Sequence, residues 1–246
     1  MAREYRLFLN CGLLIFGVSF GLLLATAEPR VYSLIRNTLG LSLGASAISV
    51  PIGTLLAVLL SRTDIPFRRA GMVILVWLLF MPLHLQYAAW DAGFGKLGWY
   101  SLISETFNAP WLSSWVGAIW VQGVSGVAWV ALIVGVSLRM SEPELEEEAL
   151  LYGPVIRVVW HVVLRRALPG VVVAVAWVML RAACDMTIAD LYQIRTLAEE
   201  LYHRFALSPD SPGLLGMGPP ALFSGMLSGL TVIALRGAMF ATWLVP

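Results

Sequence analysis

Charged and nucleophilic side chains are sparse in this sequence, so the few places where they gather mark where chemistry could occur. The densest is Ser141–Pro169, SEPELEEEALLYGPVIRVVWHVVLRRALP, with Glu142, Glu144, Glu146, Glu147 and Glu148 followed by Arg157, His161, Arg165 and Arg166. Acidic residues first and basic residues later along helical segments suit the helix dipole. A second gathering begins with Arg181, Asp185 and Asp190 and runs through Arg195 to Glu199, Glu200, His203 and Arg204. Arg181 and Asp185 stand four apart in an apolar stretch, where an isolated charge is expensive, so they are expected to pair on one helix face. Such a pair is either structural or lines the outer mouth of a pathway. A third candidate is Gly123-Val124-Ser125-Gly126. A nucleophilic serine needs a base within hydrogen-bond reach, and only His84, His161 and His203 are available.

Local pattern indicates how the first of these groups is held. Leu145, Ala149 and Tyr152, then Ile156, Val159 and Val163, recur at three- and four-residue spacing, predicting two short amphipathic helices. Gly153 separates them and could take the left-handed backbone that ends a helix. Pro154 fits the first position of the second helix, where its missing N–H costs nothing. The segment therefore reads as helix, bend and returning helix, a surface suited to docking. The plain alternative is a solvated loop between two spans.

Composition decides what surrounds these groups. Of 246 residues, 59% are hydrophobic and 13% charged, with mean hydropathy +0.81. A soluble domain carries about a quarter charged residues. The chain is therefore expected to be an all-α, multi-pass membrane protein with the lipid bilayer as solvent. Its net charge of +1 gives no argument for nucleic acid. Cys11 and Cys184 lie in apolar surroundings and suggest neither a disulfide framework nor a zinc site. No small-residue cleavage site follows the first apolar run, which is expected to stay as an anchor.

Runs of about 20 apolar residues suffice to cross a bilayer. They fall near residues 7–26, 38–60, 71–90, 114–138, 168–188 and 221–244, predicting six spans. With the N-terminus inside, the inner side holds Arg3, Arg6, Arg62, Arg68, Arg69, Arg139, Arg157, Arg165 and Arg166. The outer side holds Arg30, Arg36, Lys96, Arg195 and Arg204, so the positive-inside rule favours this orientation and places both termini in the cytoplasm. Residues 141–169 then face the cytoplasm as well. In the second span, Gly40, Gly44, Ala45, Ser46, Ala47, Ser49 and Gly53 allow close helix approach, and Pro51 is expected to kink it. Gly93-Phe94-Gly95-Lys96-Leu97-Gly98 spells a dinucleotide fingerprint, but between spans it has no strand before it and reads as a turn-rich loop.

Glu147-Glu148-Ala149, three residues, Gly153, and then Leu164 resemble the EAA loop of the membrane subunits of ABC importers. Glu148 replaces the middle alanine of that pattern, Leu164 stands one residue early, and Arg165 replaces the following proline. Pro169 resembles a second proline common in the iron(III) branch. RNTLGLSLGASAISVPIGTLLAVLLSRTDIPFR resembles the first conserved span of these permeases, and Pro82 stands where they often carry a proline. DMTIADLYQIRTLAEELYHRF resembles the segment after the fifth span of iron(III)-type permeases, with looser versions in sulfate, molybdate, thiamine and polyamine permeases.

The resemblance implies a type I permease-like bundle with a cytoplasmic coupling helix. Residues 1–36 would form an anchor helix and outer loop, and residues 37–246 a core with its EAA-like loop at 141–169. It implies a non-enzymatic transport subunit in a bacterial-type plasma (inner) membrane, importing ferric iron or one of the other small solutes. Glu147, Glu148, Ala149, Tyr152, Gly153, Leu164 and Pro169 would couple to the ATPase, and Arg181, Asp185 and Asp190 would line a pathway or outer mouth. No Walker-type G-x-x-x-x-G-K-[ST] occurs, so hydrolysis is expected on separate cytoplasmic ATP-binding subunits. A second permease half and an extracytoplasmic solute-binding protein complete the implied assembly. Asp185, Asp190, Tyr192 and Tyr202 carry the hard oxygens ferric iron takes, yet interfacial packing explains the tyrosines equally, and no metal site, cofactor or catalytic residue is assigned. The rival from another class is a rhomboid-like intramembrane serine protease, which G-x-S-G in a fourth span resembles; it lacks a histidine in the sixth span.

Overall fold

Small residues decide how the longest helices pack. In the computed structural model, which describes residues 29–103, 112–139, 148–151 and 153–207, α1 (Pro29–Arg62) lies along α5 (Ser114–Arg139). A Cβ at Gly44 would stand 2.8 Å from Ile119, one at Gly53 2.5 Å from Val130, and one at Gly123 2.8 Å from Ile48. Backbones this close leave no room for larger residues, so the glycines account for the approach. The pairs ascend together along both helices, so α1 and α5 run parallel. Arg62, at the end of α1, donates a 2.6 Å hydrogen bond to the Leu138 carbonyl near the end of α5.

The next elements are α2 (Arg68–Phe80), α3 (Leu83–Phe94) and α4 (Trp99–Ile103). Beyond α5, residues 148–151 are helical, Gly153 forms a bend, and α6 (Val155–Val158) passes through a π turn at Val159–Val163 into α7 (Leu164–Cys184). Short α8 (Thr187–Leu191) and α9 (Leu197–Leu207) follow. Gly170 packs on Ser137 and Gly126 approaches Val178, so α7 runs antiparallel to α5. Ala57, Val130, Val134, Leu138, Val163, Ala167, Ala174 and Val178 form the shared core of these three helices.

Helices are the regular secondary structure of the described residues, with no strand among them, and the protein is a membrane protein. Three helical stretches, Tyr32–Arg62, Ser114–Arg139 and Val159–Cys184, are long and apolar enough to cross a bilayer. The expected third span differs: α2 and α3 are bent by 104° at Met81-Pro82. Proline lacks an N–H and drives the residue before it out of the α region, and Met81 is extended at φ −72°, ψ 118°. The expected first and sixth spans, with Glu147 and Tyr152, lie outside the described residues.

Other expectations change at the boundaries. The second span begins earlier, at Tyr32, within a helix that starts at Pro29, so residues 36 and 37 are joined within α1. Pro51 sits on the exposed side of an α1 that continues unbroken past it. The fifth span starts earlier, at Val159, and ends at Cys184. Part of the expected outer loop is helical, as α3 and α4, with Gly95–Gly98 forming the turn between them.

Charged side chains gather at two opposite ends of the bundle. Arg30 pairs with Glu200 at 2.9 Å, Asn37 donates to the Arg195 carbonyl, and the Thr38 hydroxyl accepts from Leu197 N–H, fastening α9 to the start of α1. Arg62, Arg139 and the 148–170 segment occupy the opposite end.

Candidate functional site

The break at Met81-Pro82 opens polar backbone inside an apolar bundle. Carbonyls in the last turn of α2 lose their helical partners, and an unpaired carbonyl away from water is costly. Gln86, 8% exposed, supplies the replacement. Its Nε2 donates to the Met81 carbonyl at 3.1 Å and the Leu78 carbonyl at 3.5 Å. Beside this repair lies a cavity of about 260 Å³ lined by Leu78, Leu79, Met81, Leu83, Gln86, Ser125, Trp129, Arg181 and Asp185.

One polar chain crosses the cavity wall. Arg181 on α7 donates from Nη2 to Ser125 Oγ at 2.7 Å and from Nη1 to the Ser125 carbonyl at 3.3 Å. The Ser125 hydroxyl donates to the Gln122 carbonyl at 2.8 Å. Gln122 Nε2 donates to Asp185 Oδ2 at 2.8 Å. Asp185 also accepts from Thr187 N–H at 3.2 Å and Ile188 N–H at 3.4 Å, capping α8.

Arg181 and Asp185 therefore meet at the cavity without forming the expected direct pair. Each charge instead has a neutral partner on α5, Ser125 for Arg181 and Gln122 for Asp185. Asp190 is exposed on α8 and is not among the lining residues. Sequence reasoning missed Gln86 and Gln122, although an amide inside an apolar helix is a legible signal: it must find a hydrogen-bond partner there. It also missed the π turn, whose backbone bonding has no simple side-chain signature.

Ser125 does not have a protease's surroundings. Its hydroxyl partners among the described residues are a carbonyl and a guanidinium, and a guanidinium cannot take a serine's proton. His161 instead faces the Arg157 carbonyl at 3.1 Å, and His203 lies 3.9 Å from Glu199. Gly126, its neighbour in the G-x-S-G run, packs against Ser49, where a Cβ would come within 2.9 Å.

At the opposite end, residues 148–151 are helical and Gly153 makes the expected bend. Gly153 is not in the left-handed region, and a Cβ there would meet only Arg157 Cδ, at 3.8 Å. The bend instead follows from Pro154, whose carbonyl accepts from Arg157 N–H at 2.9 Å as the first bond of the returning helix. Glu148, Arg157 and Arg165 are exposed, Leu151 is 84% exposed and Trp160 is 64% exposed, so the described residues at this end present a charged and apolar surface. Leu164 opens α7, and Pro169 lies inside it beside Gly170.

No protein-family model matches the chain, and no curated protein matches it. Solved structures do. A chain of the MetNI methionine ABC transporter, in an inward-facing conformation, superposes with a TM-score of 0.58 at 16% identity, over 90% of this chain and 100% of that one. A chain of a bacterial ABC transporter that imports the acidic polysaccharide alginate superposes with a TM-score of 0.54 at 17% identity, over 92% of this chain and 82% of that one. The fold is one that chains of these two ABC transporters share. At these identities the likeness concerns the fold.

Proposed function

We propose that this chain is the membrane-spanning subunit of an ATP-driven importer that works with a solute-binding protein. The observation that carries this reading is the fold likeness over 90% of the chain, to a methionine ABC transporter. The helix–bend–helix at residues 148–158, gathered with Arg62 and Arg139 at one end of the bundle, supports it. In this reading that end is cytoplasmic, in a bacterial-type inner membrane. Glu147, Glu148, Ala149, Tyr152 and Gly153 dock on an ATP-binding subunit, with Leu164 and Pro169 carrying movement into α7. A second permease half completes the pathway, and the α8–α9 end receives solute.

Closure of the ATP-binding pair would push on the short helix before Gly153. That helix is tied through α6 and the π turn to α7, which carries Arg181. A displacement passed across the bend at Gly153 would therefore reach the cavity along the helical run from Val155 to Cys184. The ferric-iron assignment rests on the likeness of residues 185–205 to iron(III)-type permeases.

The test is uptake in the native host with Gly153→Pro and, separately, Glu147→Lys. Both variants are expected to remain in the membrane at normal levels and to lose uptake. Uptake that survives both changes would remove residues 141–169 from the coupling role.

A further inference from the structure

Arg181 has hydrogen-bonding capacity left over, and Asp185 has little. A guanidinium carries five N–H donors. Two are used, both on Ser125, and the other three have no partner among the described residues. Asp185 accepts from Gln122, Thr187 and Ile188, so its carboxylate is largely enclosed by donors. The remaining cavity wall is uncharged, and the Gln86 amide N–H groups point to backbone carbonyls. Of the two charged groups at the cavity, Arg181 is thus the one with hydrogen-bonding capacity to spare, and the neutral Gln86 amide oxygen adds no charge to oppose it. In an apolar, partly enclosed site such a cation attracts and orients anions more strongly than it would in water.

We propose that this cavity is a transit site for a compact anion, an oxyanion or a carboxylate-bearing solute, gripped by the free edge of the Arg181 guanidinium. This deepens the import reading and rests on it. The cavity, about 260 Å³, has the volume of about nine waters at ~30 Å³ each, which admits a small oxyanion or chelate and not a polymer. Ferric iron would fit this site as an anionic chelate, because a bare cation would meet the guanidinium first. Asp185 serves here as a positioning residue: it holds Gln122 and α8, which together keep a carboxylate from closing on Arg181.

The test measures the charge preference of the cavity directly. Leu83→Cys, on the cavity wall, is made in the full chain with Cys11→Ser and Cys184→Ser, in lipid nanodiscs. Its reaction is timed with a sulfonate-bearing and a trimethylammonium-bearing methanethiosulfonate, each normalised to free cysteine. The anionic reagent is expected to react about tenfold faster, the range that charge focusing in a cleft produces. Arg181→Lys should keep that preference, Arg181→Gln should abolish it, and salt should weaken it in the unsubstituted background. A faster cationic reagent, a ratio indifferent to Arg181→Gln, or no reaction with either reagent would overturn the proposal. The assay needs neither ATP nor a partner. An anion-selective cavity in a chain with no associated ATPase would sink the import reading alone, and a cation-selective cavity in a chain that binds one would sink this proposal alone.

Discussion

Single side chains carry the cavity and its walls. Gln86 replaces hydrogen bonds that the helix break removes, so Gln86→Ala should leave the Leu78 and Met81 carbonyls unpaired and cost about 1–3 kcal/mol. A lowered unfolding temperature in detergent would show it, and an unchanged melt would mean that water already serves those carbonyls. Gly53→Ala places a Cβ against Val130 and should cost about 1–3 kcal/mol by overpacking, whereas Gly135→Ala, with open space around it, should not. Tyr192 gives a pH signature. Burial, with Tyr87 and Asp91 nearby, pushes its phenol up to about 12 from 10.0. The folded state then keeps a proton that the unfolded chain releases, so this contribution is intact below about pH 10 and is lost between pH 10 and 12. Its hydroxyl is buried without a hydrogen-bond partner among the described residues, so Tyr192→Phe should fold normally and lose less stability than the parent across that window, as thermal melts would report. At this scale the sequence revealed Arg181 and Asp185 as members of one site. It did not reveal that Gln122 and Ser125 are their partners, because that depends on how α5 and α7 are set against each other.

Helices set where these side chains meet, and the two breaks in their regularity matter most. One is Met81-Pro82, where an expected straight span turns by 104° and makes the cavity. Proline was visible in the sequence, but proline inside a helix has two outcomes, as α1 shows by passing Pro51 unbroken. The difference lies in the neighbours: Gln86 is placed to repair the break after Phe80. The other is the bend at Gly153. Since Gly153 avoids the left-handed region and has space around it, Gly153→Ala should keep docking and uptake. Gly153→Pro should disrupt both, because a proline there restricts the residue before it and ends the 148–151 helix early. Co-purification of an ATP-binding subunit, compared between the two variants, checks this. Equal loss in both would mean that the glycine itself, and not the backbone path, is required.

For the whole molecule, parallel α1 and α5 with antiparallel α7 place the two charged groups of the sequence at opposite ends. Apolar run length gave the fourth span almost to the residue, predicted at 114–138 and found at Ser114–Arg139. The start of the fifth was less legible, because Val159–Val163 is apolar yet lies in a π turn beside exposed Trp160. The anion preference proposed for the cavity belongs to this scale too, since it depends on four helices, α2, α3, α5 and α7, meeting around one guanidinium. The most direct test of the central claim is purification of the full chain from its own host in mild detergent, with co-purifying chains identified by mass spectrometry. The account predicts an ATP-binding subunit that is present with the unaltered chain and lost with Gly153→Pro. A preparation of the unaltered, folded chain with no ATP-binding partner would contradict it.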